Sequence, residues 1–213
     1  MKEIDSPEPR QRILDAAVSL FAQKGFAAVG VREIAAEAGV NIAMISYYFE
    51  GKIGILREIM EQFFDRYSLV FDGIDDAAKP PQECVQNLVQ NIVDFVRENT
   101  ELSMVSYNEL PLDIPEIAEL KAERIIAIIK RISGLVRRMG LDPKDNFLIT
   151  VVGPSLISMI FTNFRFRPVL KHVFQFKFDD AYYKRYTEII VTLLLNGVTG
   201  LAEMKKRKER STK

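Results

Sequence analysis

Two short apolar-periodic stretches on either side of a glycine, within VREIAAEAGVNIAMISYYFEGK (residues 31–52), restrict the fold more than any other part of the chain. Val31, Ile34, Ala35 and Ala38 recur at i, i+3, i+4 and i+7, which lays one apolar stripe along about two helical turns. Gly39 ends that stripe. Asn41 then stands where a helix N-cap is needed, because its side-chain carbonyl can accept from the free N–H groups of the next turn. A second helix is therefore expected from Ile42. Two short helices around a glycine-containing turn of three or four residues make a helix-turn-helix, whose second helix enters the DNA major groove.

The same periodicity runs through nearly all of the 213 residues. Ile13, Leu14, Ala17, Val18 and Phe21 form a helical face that Gly25 ends, so three helices fill the first fifty positions. A long helix is expected from Gly54 to Tyr67, then a loop over Asp72 to Pro81, then helices over about 82–98, 101–110 and 116–139. Two more follow, from Lys144 to about Phe164 with Gly153 and Pro154 as a kink, and from Asp179 to about Lys208. The predicted class is all-α, with no strand or repeat.

Composition removes several functions. A single cysteine, Cys84, and a single histidine, His172, exclude an intramolecular disulfide and a Cys/His zinc site, and no metal or other cofactor is expected. With no glycine-rich phosphate loop and no nucleophile elbow, an enzyme is not expected either. The richest apolar run, Ile189 to Leu195, is far short of the ~18 residues that span a bilayer, and residues 1–10 lack the apolar core of a secretory signal. A cytoplasmic protein without a membrane partner is the expectation. Lys and Arg balance Asp and Glu at 29 each, and residues 1–52 hold six basic against seven acidic side chains. Any grip on DNA must come from local placement of charge.

From Arg10 to Lys52 the sequence resembles the TetR family of transcriptional regulators. The resemblance rests on RQRILDAAVSLFAQKGF, on VREIAAEAGV, and on a recognition helix that ends YYF with a lysine three residues on. It implies an all-α homodimer with a three-helix helix-turn-helix DNA-binding domain over residues 1–52 and a larger helical effector-binding and dimerisation domain over 53–213. It further implies that Ile42, Ala43, Met44 and Tyr47 face bases, that Tyr48 and Lys52 hold phosphates, and that Arg32 reaches either; Ser46 stands where relatives often carry an aromatic. At about 100° per residue, Ile45 and Phe49 share the inward side, with Ala43, Met44 and Tyr47 opposite. Ile42 fits either a core edge or a base contact. In the groove, Ile42, Ala43 and Met44 could mainly read thymine methyls, leaving Arg32 as the candidate for guanine.

A dimeric helix-turn-helix protein reads two half-sites, so two recognition helices need a fixed spacing. Phe147, Val151, Leu156 and Ile160, with Ile189, Ile190, Leu193, Leu194, Leu201 and Met204, supply apolar surface for a four-helix contact or for the core. Met104, Tyr107, Asn108, Phe161 and Phe164 suit a mostly apolar pocket for a small effector, and equally an ordinary helical core. Lysine 52, in the first turn of a helix, opposes the helix dipole, and a phosphate would offset that. The reading is a ligand-responsive transcriptional regulator, a repressor released from a palindromic operator in double-stranded DNA. The alternative is a helical protein-binding adaptor.

Overall fold

The computed structural model describes residues 8–108 and 111–211, with side chains described for 8–107 and 111–197. Among the described residues there are helices and turns and no strand, which matches the predicted all-α class. The helices are α1 (Pro9–Lys24), α2 (Val31–Glu37), α3 (Ile42–Phe49), α4 (Lys52–Ser68), α5 (Pro81–Glu98), α6 (Thr100–Asn108), α7 (Pro115–Arg138), α8 (Asn146–Phe174) and α9 (Asp180–Ser211).

The chain forms two compact units, one of residues 1–66 with 99–124 and the other of 67–98 with 125–213. This grouping differs from a division at residue 52, because α4 up to Arg66 and all of α6 pack with the first three helices. In the first unit Ile13, Leu14, Phe21, Ile34, Ile45, Ile55, Leu56, Ile59 and Met60 are almost wholly removed from water. Each such side chain contributes roughly 1.5–3 kcal/mol by burial, so this core is what holds the short α2 and α3 in place. α6 lies against α1, with Val105 and Ile117 fully buried and Arg124 paired to Asp65 at 2.9 Å.

In the second unit α5 packs along α9 and α8 against α9. Asn163 and the Tyr182 hydroxyl share hydrogen bonds, and the Tyr186 hydroxyl donates to the carbonyls of Met159 or Ile160 at 2.8 and 3.1 Å. Cys84 is buried, as an inert thiol should be. Two readings of α8 change. The helix passes Pro168 and runs ten residues beyond Phe164, since one proline removes a single backbone donor and already has a helical φ. It is also long and apolar enough to cross a membrane, with a mean hydropathy of 1.7 over 18 residues, although no continuous apolar run of that length exists. Its uncharged Thr, Ser, Gly and Asn residues interrupt the run without lowering the average far.

That window is only 22% buried, so the apolarity of α8 is largely on the outside of the chain. Phe147, Val151, Phe166, Val169 and Val173 on α8, and Ile189 and Leu193 on α9, are exposed. Leu156, Ile160 and Ile190 are buried within the second unit, which removes them from the candidate dimer surface. Leu201 and Met204 have side chains outside the described residues.

Candidate nucleic-acid interface

α3 begins where its cap requires. The Asn41 side chain accepts from the Ala43 N–H at 2.9 Å with Asn41 itself extended (φ −69°, ψ 138°), and Gly39 turns the chain before it at φ 62°. At the other end Glu50 takes a left-handed conformation (φ 59°), and its N–H bonds back to the Ser46 carbonyl. Removing the cap acceptor in Asn41→Ala should cost about 1 kcal/mol, read as a lower urea midpoint at unchanged slope, while Asn41→Asp should retain most of it.

Burial divides α3 lengthwise. Ile45 and Phe49 are in the core, as their spacing predicts, and the Arg10 guanidinium lies 5.4 Å from the centre of the Phe49 ring while pairing with Glu58 at 2.8 Å. Opposite them Ile42, Ala43, Ser46 and Tyr47 form two adjacent exposed rows, i to i+4. Ile42 is 42% exposed, on the open side of the helix, and Tyr47 is 81% exposed. Met44 and Tyr48 are half-buried, and the Tyr47 and Tyr48 rings meet edge to face at 4.9 Å. Arg32 is exposed in the first turn of α2. Beside it the Lys24 ammonium, 2.5 Å from Glu33, holds that carboxyl below its usual range and cancels its charge. This local pairing leaves Arg32 without an ion-pair partner among the described residues at the start of α2, in a unit with no bulk positive field.

Lys52 differs from expectation. Its ammonium donates to the carbonyls of Phe26 and Val29, both at 2.7 Å, and sits 4.2 Å from the Phe26 ring centre. These contacts offset the unfavourable helix dipole without a phosphate, and burial draws the pKa of the lysine below its ordinary value. The third N–H of the ammonium has no acceptor among the described residues. Lys52 thus joins the start of α4 to the α1–α2 loop. Gly54, which the periodicity does not single out, lets α4 approach α3: a Cβ there would lie 1.7 Å from the Phe49 carbonyl oxygen.

Residues 13–59, which contain all of this geometry except Arg10, match the family described as bacterial regulatory proteins, tetR family. Over those residues the chain carries a tetR-family domain. Its relatives agree. The probable HTH-type transcriptional regulator YttP of Bacillus subtilis is 35% identical over 113 residues, covering 52% of this chain and 55% of that protein. The HTH-type transcriptional repressor KstR2 of Rhodococcus jostii is 35% identical over 74 residues, covering 32% and 36%. The chain spans about half the length of such curated relatives or less. A solved tetR-family regulatory protein from Rhodococcus RHA1 superposes with a TM-score of 0.71 at 19% identity, covering 89% of this chain and 98% of that one, which shows the shared fold. These relatives are named as transcriptional regulators.

The residues expected to line an effector pocket separate between the units. Met104 and Tyr107, half-buried, belong to the first; Phe161 and Phe164, buried, belong to the second; the side chain of Asn108 lies outside the described residues. A surface depression of about 550 Å³ in the second unit, between Phe71 and Asp76 with Arg131, contains none of them. Two of its three carboxylates are ion-paired, Asp72 with Arg131 and Asp75 with Arg138 at 3.0 Å, and Asp76 accepts from the Ala78 N–H at 2.9 Å, so charged pairs share the lining with Phe71 and Ile74.

Proposed function

We propose that the protein is a transcriptional regulator that binds a palindromic operator as a homodimer and is released by a small, largely apolar effector, acting as a repressor in the cytoplasm. One observation supports this most: the outer rows of α3, Ile42, Ala43, Ser46 and Tyr47, stand open while the inner row is locked in the core. A helix held so rigidly with one clean face is suited to enter a major groove. Ile42, Ala43 and Met44 meet thymine methyls in this reading, Arg32 reads guanine or holds phosphate, and Ser46, Tyr47 and Tyr48 bond to the backbone or base edges. Lys52 contributes its remaining N–H and its positioning of α4.

The dimer reading rests on the exposed apolar stripe of α8 and on Ile189 and Leu193 of α9, which a second copy would cover. Light scattering should give twice the chain mass of 24.3 kDa. Ile189→Glu combined with Leu193→Glu should halve that mass and weaken operator binding, while a monomeric wild-type chain at micromolar concentration would contradict the assembly. An effector acts in this scheme by binding better to the conformer whose recognition helices are mis-spaced. The function itself is tested by recovering bound fragments from genomic DNA and repeating the recovery with cell extract, which should release them if a metabolite is the effector.

A further inference from the structure

In the second unit one arginine is placed as though for an anion. Arg167, on α8, lies 4.5 Å from the ring centre of Phe164, 5.1 Å from that of Tyr183 and 5.4 Å from that of Phe178. The rings hold the plane of the guanidinium while offering no acceptor to its N–H groups. Its Nε is buried without a hydrogen-bond partner, and no carboxylate among the described residues pairs with it. Burial first, and then the positive charge of Arg97, disfavour its protonated form, which Tyr182 partly restores. Arg97 shares the Tyr183 ring at 4.3 Å but has its own carboxylates, Asp180 and Asp94.

The Tyr183 ring that Arg167 faces also carries an unsatisfied group. The hydroxyl of Tyr183, a residue 1% exposed, has no hydrogen-bond partner among the described residues. Buried donors are ordinarily paired, and a half-buried cation is ordinarily matched by an anion. A row of aromatic contacts runs from the surface to Tyr183: exposed Phe174 stacks on exposed Phe176 at 5.5 Å, Phe176 meets Tyr182 at 5.5 Å, and Tyr182 meets Tyr183 at 5.2 Å.

We propose that Arg167, with the hydroxyl of Tyr183, holds the carboxylate or phosphate of an organic anion whose apolar body lies along the Phe174–Phe176–Tyr182 rings. Charge-assisted hydrogen bonds from a guanidinium whose orientation is already fixed give such a group its preference over an uncharged one. As an account of the effector this rests on the ligand-responsive reading above, and it sharpens "largely apolar" to "apolar with one anionic end".

The test is calorimetric titration of the full-length protein with octanoate, octyl phosphate, octanol and inorganic phosphate. One or both of the organic anions should bind at least about tenfold more tightly than octanol and than inorganic phosphate. In R167M, with unchanged circular dichroism, that ratio should fall to near one; Y183F, which deletes only a hydroxyl, should reduce it about threefold. Equal affinity for octanol, an unchanged ratio in R167M, tighter binding of inorganic phosphate than of either organic anion, or no binding of any probe overturns the site. Operator release is measured alongside. Anion binding through Arg167 without release would leave the site standing and contradict the effector reading, whereas release that survives R167M would do the reverse.

Discussion

Tyr47→Ala and Arg32→Ala are each expected to weaken binding to a selected operator about tenfold to a hundredfold, equivalent to ~1.4–2.7 kcal/mol. Both side chains are exposed, so neither change should move the unfolding midpoint by more than about 0.5 kcal/mol. The two should differ in kind. If Arg32 reads guanine, Arg32→Ala loses more affinity for the operator than for a scrambled duplex, and specificity relaxes at one base position. Equal loss on both duplexes would make Arg32 a phosphate anchor and contradict the base-reading role. Tyr47 is 81% exposed, and the Tyr48 ring, edge to face with it at 4.9 Å, is its one ring contact among the described residues, so packing within α3 does not explain so large an exposed ring. Unchanged affinity on truncating it would count against α3 as the reading helix.

The second large effect is structural. Gly54→Ala should destabilise the protein by about 3 kcal/mol, because the added methyl would stand 1.7 Å from the Phe49 carbonyl oxygen and 2.8 Å from its carbon, and backbone cannot step aside as a side chain could. For a chain of this size that is a fall in melting temperature of roughly 6–12 °C. Either the last turn of α3 or the first of α4 must shift, so operator affinity should fall with stability. Gly30→Ala is the control. Nothing lies within 4 Å of a Cβ there, its φ of −102° suits any residue, and its effect should stay within about 0.5 kcal/mol. Similar losses at both glycines would contradict a close approach at residue 54.

These two positions also mark how far the sequence can be read. The Asn41 cap, the Gly39 turn and the inward pair Ile45 and Phe49 were legible because each depends on neighbours within four residues. Gly54 and Lys52 were not, since their partners, Phe49 across a turn and the carbonyls of Phe26 and Val29, are brought near only by the packing of separate helices. Periodicity had the same limit in the second unit. It marked the faces of α8 and α9 as apolar but could not separate Leu156, Ile160 and Ile190, covered by the chain itself, from Phe147, Val151, Ile189 and Leu193, which the chain leaves open. Arg167 escaped notice for a related reason. An arginine between Phe166 and Pro168, two residues after Arg165, reads as a solvated helix face until Tyr183 and Phe178 are seen to close around it.

The role of α3 is tested most directly by fluorescence anisotropy of the full-length protein with a DNA fragment selected from the genome, titrated across a range of salt concentrations. Tight binding is expected, its logarithm falling linearly with the logarithm of salt concentration, together with a large loss in Tyr47→Ala at every salt concentration. Absence of any enriched fragment, or binding that ignores both salt and Tyr47, would contradict that role and favour a protein-binding adaptor built on the same helices.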